Sequence, residues 1–211
     1  VALCPQQKPI DDFIESMKKD YDLTDDGDLS AFLGIQIDKV CTPSGSFEYT
    51  LKQPALITKI CNTLPLLDAR MHDTPANKIL YKGGTPQKTN FHYCSAISQL
   101  DYLTASTRPK LILATHQCVH LSIDPRLPHE QAIKRIIRYL KLMQDKGCIL
   151  HQDKGCSLKC HMDADLAGSW SKQYMDDAST CYYRTGYIIS YACCSLIWAS
   201  PMQTVIALST T

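Results

Sequence analysis

Leu158-Lys159-Cys160-His161-Met162-Asp163-Ala164-Asp165 alternates apolar and polar side chains at every step. A period of two predicts a strand over 158–163, and because residues two apart share a face, it sets Asp163 and Asp165 on one side of that strand. The same period recurs from Tyr183 to Tyr191 and from Leu196 to Ala199, so the chain past Gly155 reads as a sheet-forming unit. Upstream the period changes. From Pro128 to Lys146, Ile133, Ile136, Ile137, Leu140 and Met143 form one stripe at helical spacing, and Lys134, Arg138 and Lys141 form another. Gly147 stands where a helix C-terminal cap belongs.

Further upstream, Phe91 to Ala105 and Pro109 to Leu121 repeat at three and four, which predicts two helices meeting at the corner Thr107-Arg108-Pro109. Pro54 suits the first turn of a helix carrying Leu56, Ile57 and Ile60, and Pro65, Pro75, Gly83, Gly84 and Pro86 punctuate the long loop that follows. Before it, Phe32 to Ile37 reads as one strand paired with Phe47 to Leu51 through the turn Thr42-Pro43-Ser44-Gly45. Asp11 to Tyr21 places Phe13, Ile14, Met17 and Tyr21 at helical spacing, and Asp25-Asp26-Gly27-Asp28 ends that helix. The fold class expected is α+β.

The 211 residues are 45% hydrophobic and 20% charged, which suits one large or two modest cores and excludes a disordered tail. A net charge of +1 argues against a histone-like polycation, but it averages an acidic front and a basic middle. Residues 1–30 hold eight acids against three lysines, and residues 126–146 hold six cations against two acids. Eleven cysteines, an odd count spread along the chain, read as reduced thiols rather than a disulfide framework. The most apolar run, Tyr187 to Ser200, is 14 residues, short of the roughly 20 that span a bilayer. The first residues show no export signal, and Ala207-Leu208-Ser209-Thr210-Thr211 reads as a helix cap with no helix after it, so a fragment is expected.

Asp163 and Asp165 are hard-oxygen donors of the kind that hold Mg²⁺ for phosphodiester cleavage, and they read equally as a solvated strand end. Tyr174-Met175-Asp176-Asp177 matches the letters of a polymerase metal-binding hairpin, but its neighbours supply no apolar strands and it reads as a polar loop. Cys148, His151, Cys156, Cys160 and His161 crowd fourteen residues without paired knuckle spacing, so buried thiols are expected over zinc, with a zinc-stabilised module the weakest alternative. Cys193-Cys194 is likewise expected to fill a core. The Lys134, Arg138, Lys141 stripe fits either a solvated helix face or one that tracks a phosphate backbone.

The order of motifs then becomes informative. Phe32-Leu33-Gly34-Ile35, Leu100-Asp101-Tyr102-Leu103, Thr107-Arg108-Pro109, Ala132 to Lys141, Asp163 to Gly168, Arg184-Thr185-Gly186-Tyr187, Ile197-Trp198-Ala199-Ser200 and Ala207 to Thr211 together resemble the polyprotein of copia-type LTR retrotransposons. Lys110, Leu166 and Pro201 depart from the family pattern. The resemblance covers essentially the whole chain. It implies the end of a reverse transcriptase palm over 1–70, a helical thumb or connection over 71–154, and the N-terminal part of a ribonuclease H-like, three-stranded sheet over 155–211.

It also implies that Asp163 is the first ribonuclease H metal carboxylate, with Asp165 in support and Mg²⁺ as the ion. Lys134, Arg135, Arg138, Lys141 and Arg108 would contact an RNA–DNA hybrid or duplex. The ancestral function would be RNA-directed DNA synthesis with hybrid cleavage, both expected to be absent in the chain as given. The rest of the polyprotein would be a partner, a membrane would not, and the setting would be a cytoplasmic particle or the nucleus. A non-catalytic nucleic-acid-binding module using helix 128–146 is the alternative.

Overall fold

In the computed structural model, residues 7–24, 29–43, 45–63, 71–87, 91–151, 157–165 and 168–204 are described. The chain divides into two compact units, 1–30 and 31–211. In the first, α1 (Gln7–Lys18) keeps Ile10, Ile14 and Met17 half-buried at helical spacing, while Phe13 is exposed. The acidic break at 25–28 lies outside the described residues.

The second unit opens on a correction. Phe32 to Ile37 is two strands, because Leu33 and Gly34 both take positive φ (48° and 75°) and reverse the chain. The result is β1 (Ala31–Phe32) antiparallel to β2 (Ile35–Cys41), with Phe32 opposite Ile35. The next turn is where the sequence places it: Thr42 N–H donates to Ser46 O and Gly45 N–H to Thr42 O. There β2 pairs with β3 (Phe47–Lys52), and β3 pairs with β4 (Cys148–His151), a four-residue strand the period does not reveal.

Four helices then build one core: α2 (Pro54–Asn62), α3 (Tyr93–Ser106), α4 (Ile112–His120) and α5 (Leu127–Leu142). Ile57, Ile60, Ile97, Leu100, Leu103, Leu111, Ile133, Ile136, Ile137 and Leu140 are buried there, each side chain contributing on the order of 1.5–3 kcal/mol of transfer free energy. Several buried polar groups are tied: Gln53 Oε1 accepts from Thr107 Oγ1, the Thr104 and Thr115 hydroxyls pair, and Tyr93 donates to Cys118 O. The corner at Thr107-Arg108-Pro109 becomes one 3₁₀ turn, Pro109–Leu111. Helix α5 stops at Leu142, short of Gly147. Gly147 instead lies against β3, where an added Cβ would collide with the Leu51 carbonyl oxygen.

Beyond residue 155 a separate antiparallel sheet forms, in the order β5 (Leu158–Asp165), β6 (Arg184–Tyr191), β7 (Cys194–Ala199). Ala192 and Cys193, both at positive φ, make the turn between β6 and β7, and Cys193 is exposed rather than filling a core. Trp198 Nε1 donates to Thr104 O, His116 Nδ1 donates to Ser200 O, and Lys82 pairs with Asp177, so the sheet is anchored to the helices. The architecture is mixed α and β with two antiparallel sheets. Among the described residues no helix is long and apolar enough to cross a membrane.

Candidate nucleic-acid interface

Pro128 in the first turn starts α5, and the buried His129 fixes how the helix meets the preceding segment. His129 Nδ1 accepts the Arg126 N–H, which leaves Nε2–H to donate to Tyr81 O. That bond draws the 72–82 segment alongside α5 and opens a cleft of about 390 Å³. Its walls include His72, Lys78, Gln117, Lys134, Arg135 and Arg138. Three of the basic residues picked from sequence therefore converge.

Their states differ. Lys134 is bound to Glu130, a carboxylate with no exposed surface, and lies 5.6 Å from the centre of the Phe91 ring. Its charge is largely cancelled in place. Arg135 donates to Thr74 O and Thr74 Oγ1, neutral acceptors that orient the guanidinium and leave its charge intact. Arg138 has a buried Nε with no acceptor among the described residues. Lys141 does not line the cleft and sits by Cys61, whose thiol burial pushes up and Lys141 pulls back. Arg108 is 7% exposed and donates to Gln144 O, joining the α3 corner to the end of α5. Its guanidinium faces the interior, and burial lowers its pKa.

The carboxylates lie elsewhere, on β5. Asp163 and Asp165 are both exposed on the face they share with Lys159 and His161. Asp163 stands opposite Gly186, and Asp165 opposite Arg184, with the Asp165 carboxylate beside Gly168. Burial lowers the Arg184 pKa and Asp165 opposes that shift. Two carboxylates about 6.6 Å apart at their Cα atoms fit part of a Mg²⁺ shell. Among the described residues, no three His, Cys, Asp or Glu side chains gather as a metal site.

The Tyr174 to Asp177 stretch is a turn between 3₁₀ segments, not a strand hairpin. Burial pushes the Asp177 carboxyl up, but hydrogen bonds from Ser179 and Lys82 outweigh it and hold the group below the usual carboxylate range. Of the supposed buried thiols, Cys148 is buried and Cys160 is exposed, which corrects half of that expectation; Cys156 lies outside the described residues. Cys194 Sγ donates to His151 O and so ties β7 to β4, a contact that residue spacing gives no sign of.

No family model and no solved structure matches the chain. It is 27% identical over 202 residues to an uncharacterized mitochondrial protein of Arabidopsis thaliana, covering 94% of this chain and 78% of that protein. It is 28% identical over 201 residues to the retrovirus-related Pol polyprotein from transposon RE1 of Arabidopsis thaliana, covering 94% of this chain and 13% of that polyprotein. It is 32% identical over 122 residues to the secreted RxLR effector protein 161 of Plasmopara viticola, covering 58% of this chain and 80% of that protein.

Proposed function

We propose that this chain, which belongs to one family with the secreted RxLR effector protein 161 and has retrotransposon Pol polyproteins among its homologues, is a polyprotein segment whose α5 cleft grips the phosphate backbone of a nucleic-acid duplex. The observation that carries this reading is the convergence of Arg135, Arg138 and Lys78 on one cleft. Phosphate oxygens match the fork geometry of the two guanidinium groups. A duplex backbone presents such oxygens whatever its sequence.

On this reading residues 1–70 end a reverse transcriptase palm, 71–154 form its thumb or connection, and 155–211 begin a ribonuclease H-like domain. Asp163, supported by Asp165, would hold Mg²⁺, which when bound supplies activated water and charge stabilisation for hybrid cleavage. Two carboxylates do not complete a two-metal site, so the 211-residue chain alone should cleave no RNA–DNA hybrid above background. Duplex binding without chemistry remains as the second reading, and the cleft favours it because the cleft requires neither aspartate.

Fluorescence anisotropy with an RNA–DNA hybrid over a salt series tests the site. Arg135→Ala and Arg138→Ala should each weaken binding and reduce the salt slope by about one. Absence of binding at low salt, or binding that neither change affects, defeats the proposal. Robust Mg²⁺-dependent cleavage that Asp163→Asn abolishes would overturn the inactivity.

A further inference from the structure

The cleft beside α5 is built from three walls within the helical core. Helix α5 contributes Gln131, Arg135 and Arg138, whose spacings of four and three set them on one stripe. Helix α4 contributes Ala114 and Gln117, one turn apart. The 72–82 segment contributes Asn77, Lys78 and Leu80. The chemistry of these walls is layered. Ile136 and Ala114 are 1% and 5% exposed and make an apolar floor with the half-buried Leu80. Asn77, Lys78 and Gln131 are exposed and mark the mouth.

Each wall also supplies one carboxamide: Asn77, Gln117 or Gln131. None of the three is hydrogen-bonded to another described residue. Phosphate alone would engage the cations and leave these amides and the floor idle. A paired duplex is too wide to enter the cleft, so its backbone can only lie across the mouth. The interior, about 390 Å³, is near the lower end of the roughly 300–1,000 Å³ of small-ligand sites and has room for one nucleotide. A base has an apolar face for Leu80 and Ile136 and a polar edge for the amides. A carboxamide carries a donor and an acceptor side by side, which is the complement of the N6 and N7 edge of adenine.

We propose, building on the duplex reading above, that the α5 cleft receives one unpaired base at the end of the bound nucleic acid. Asn77, Gln117 and Gln131 meet the edge of that base, the apolar floor meets its face, and Arg135 and Arg138 hold the phosphates that lead to it. Such a cleft distinguishes an end carrying an unpaired nucleotide from a blunt one, which backbone contacts alone do not do.

Fluorescence anisotropy at one fixed salt concentration tests this with three labelled probes. They are a blunt RNA–DNA hybrid, the same hybrid with its DNA strand extended by one adenine nucleotide at each end, and that extended hybrid with abasic nucleotides in place of the adenines. The adenine-ended hybrid should bind at least about fivefold tighter than the blunt one. The abasic hybrid carries the same added charge and should lose that gain. Replacing both Gln117 and Gln131 with alanine, a good helix former, should bring the ratio of adenine-ended to blunt affinity to about one. The abasic comparison needs no variant and decides the case even if that double variant does not fold. Equal affinity for the adenine-ended and blunt hybrids overturns the inference and leaves the duplex reading standing, whereas no binding of any hybrid at low salt overturns both. An abasic end that binds as tightly as the adenine end, or a folded double variant that keeps the parent ratio, also overturns it. Adenosine monophosphate that binds more tightly than the adenine-ended hybrid would make this a site for free nucleotide and overturn it as well.

Discussion

Replacing Lys134 with methionine separates what this residue does for the fold from what it does for a ligand. Glu130 has no exposed surface, and the Lys134 side chain that pairs with it is 28% exposed. Breaking a buried ion pair from one side costs about 3–5 kcal/mol, and the partial access of water at Lys134 reduces that to about 2–3 kcal/mol. Methionine retains the aliphatic stem but loses the cation above the Phe91 ring, worth about 0.5 kcal/mol more. With a urea m-value of about 2 kcal/mol/M, the unfolding midpoint should fall by about 1.3–1.8 M. Adding Glu130→Gln removes the stranded charge and should return part of the loss, which a double-mutant cycle reads as coupling between the two sites. Duplex affinity of the double variant, measured without urea, should fall less than that of Arg138→Ala, because the pair it removes carries no net charge. A midpoint within about 0.2 M of the parent would refute the account.

Alkali should loosen the helical core. Burial pushes the Cys118 thiol up to about 12 and raises the Tyr93 phenol as well, so both are favoured neutral in the fold. Their contribution is full below about pH 9 and is lost as the pH climbs towards 12; urea midpoints at pH 8, 9, 10 and 11 should fall steadily, and a flat series would contradict this. Gly147→Ala should cost about 1–3 kcal/mol, since the new methyl would collide with the Leu51 carbonyl oxygen of β3; a thermal or urea unfolding curve unchanged from the parent would refute that packing.

Periodicity made the core helices legible because each buries one face, and the second sheet legible through its alternation of residue types, although β5 is exposed on both faces. Ile133, Ile136, Ile137 and Leu140 repeat at three and four, and all four are buried in α5. Where chain reversals depend on residues without turn chemistry, the signal fails. Leu33, Ala192 and Cys193 take positive φ although none is glycine, asparagine or aspartate, so Phe32 to Ile37 looks continuous and Cys193 looks like core. β4 was hidden for another reason: Cys148 to His151 is four residues long, and its pairing with β3 spans about a hundred residues of chain. Local pattern does not carry a contact at that range.

The site divides along the same line. Lys134, Arg138 and Lys141 were visible as a charged stripe, but a stripe does not say which cations are already engaged. Glu130 sits four residues before Lys134, the ordinary helix pairing distance, so that neutralisation was available from spacing alone. The cleft was not. It depends on His129 reaching Tyr81 and on Arg135 reaching Thr74, contacts set by how the 72–82 segment lies along α5. Arg108 belongs to the same class: a cation at a helical corner looks solvent-facing in sequence, and only the position of Gln144 turns it inward. If the cleft grips a duplex as proposed, the work falls to Arg135 and Arg138, for which no carboxylate partner stands among the described residues, rather than to Lys134, which Glu130 already engages.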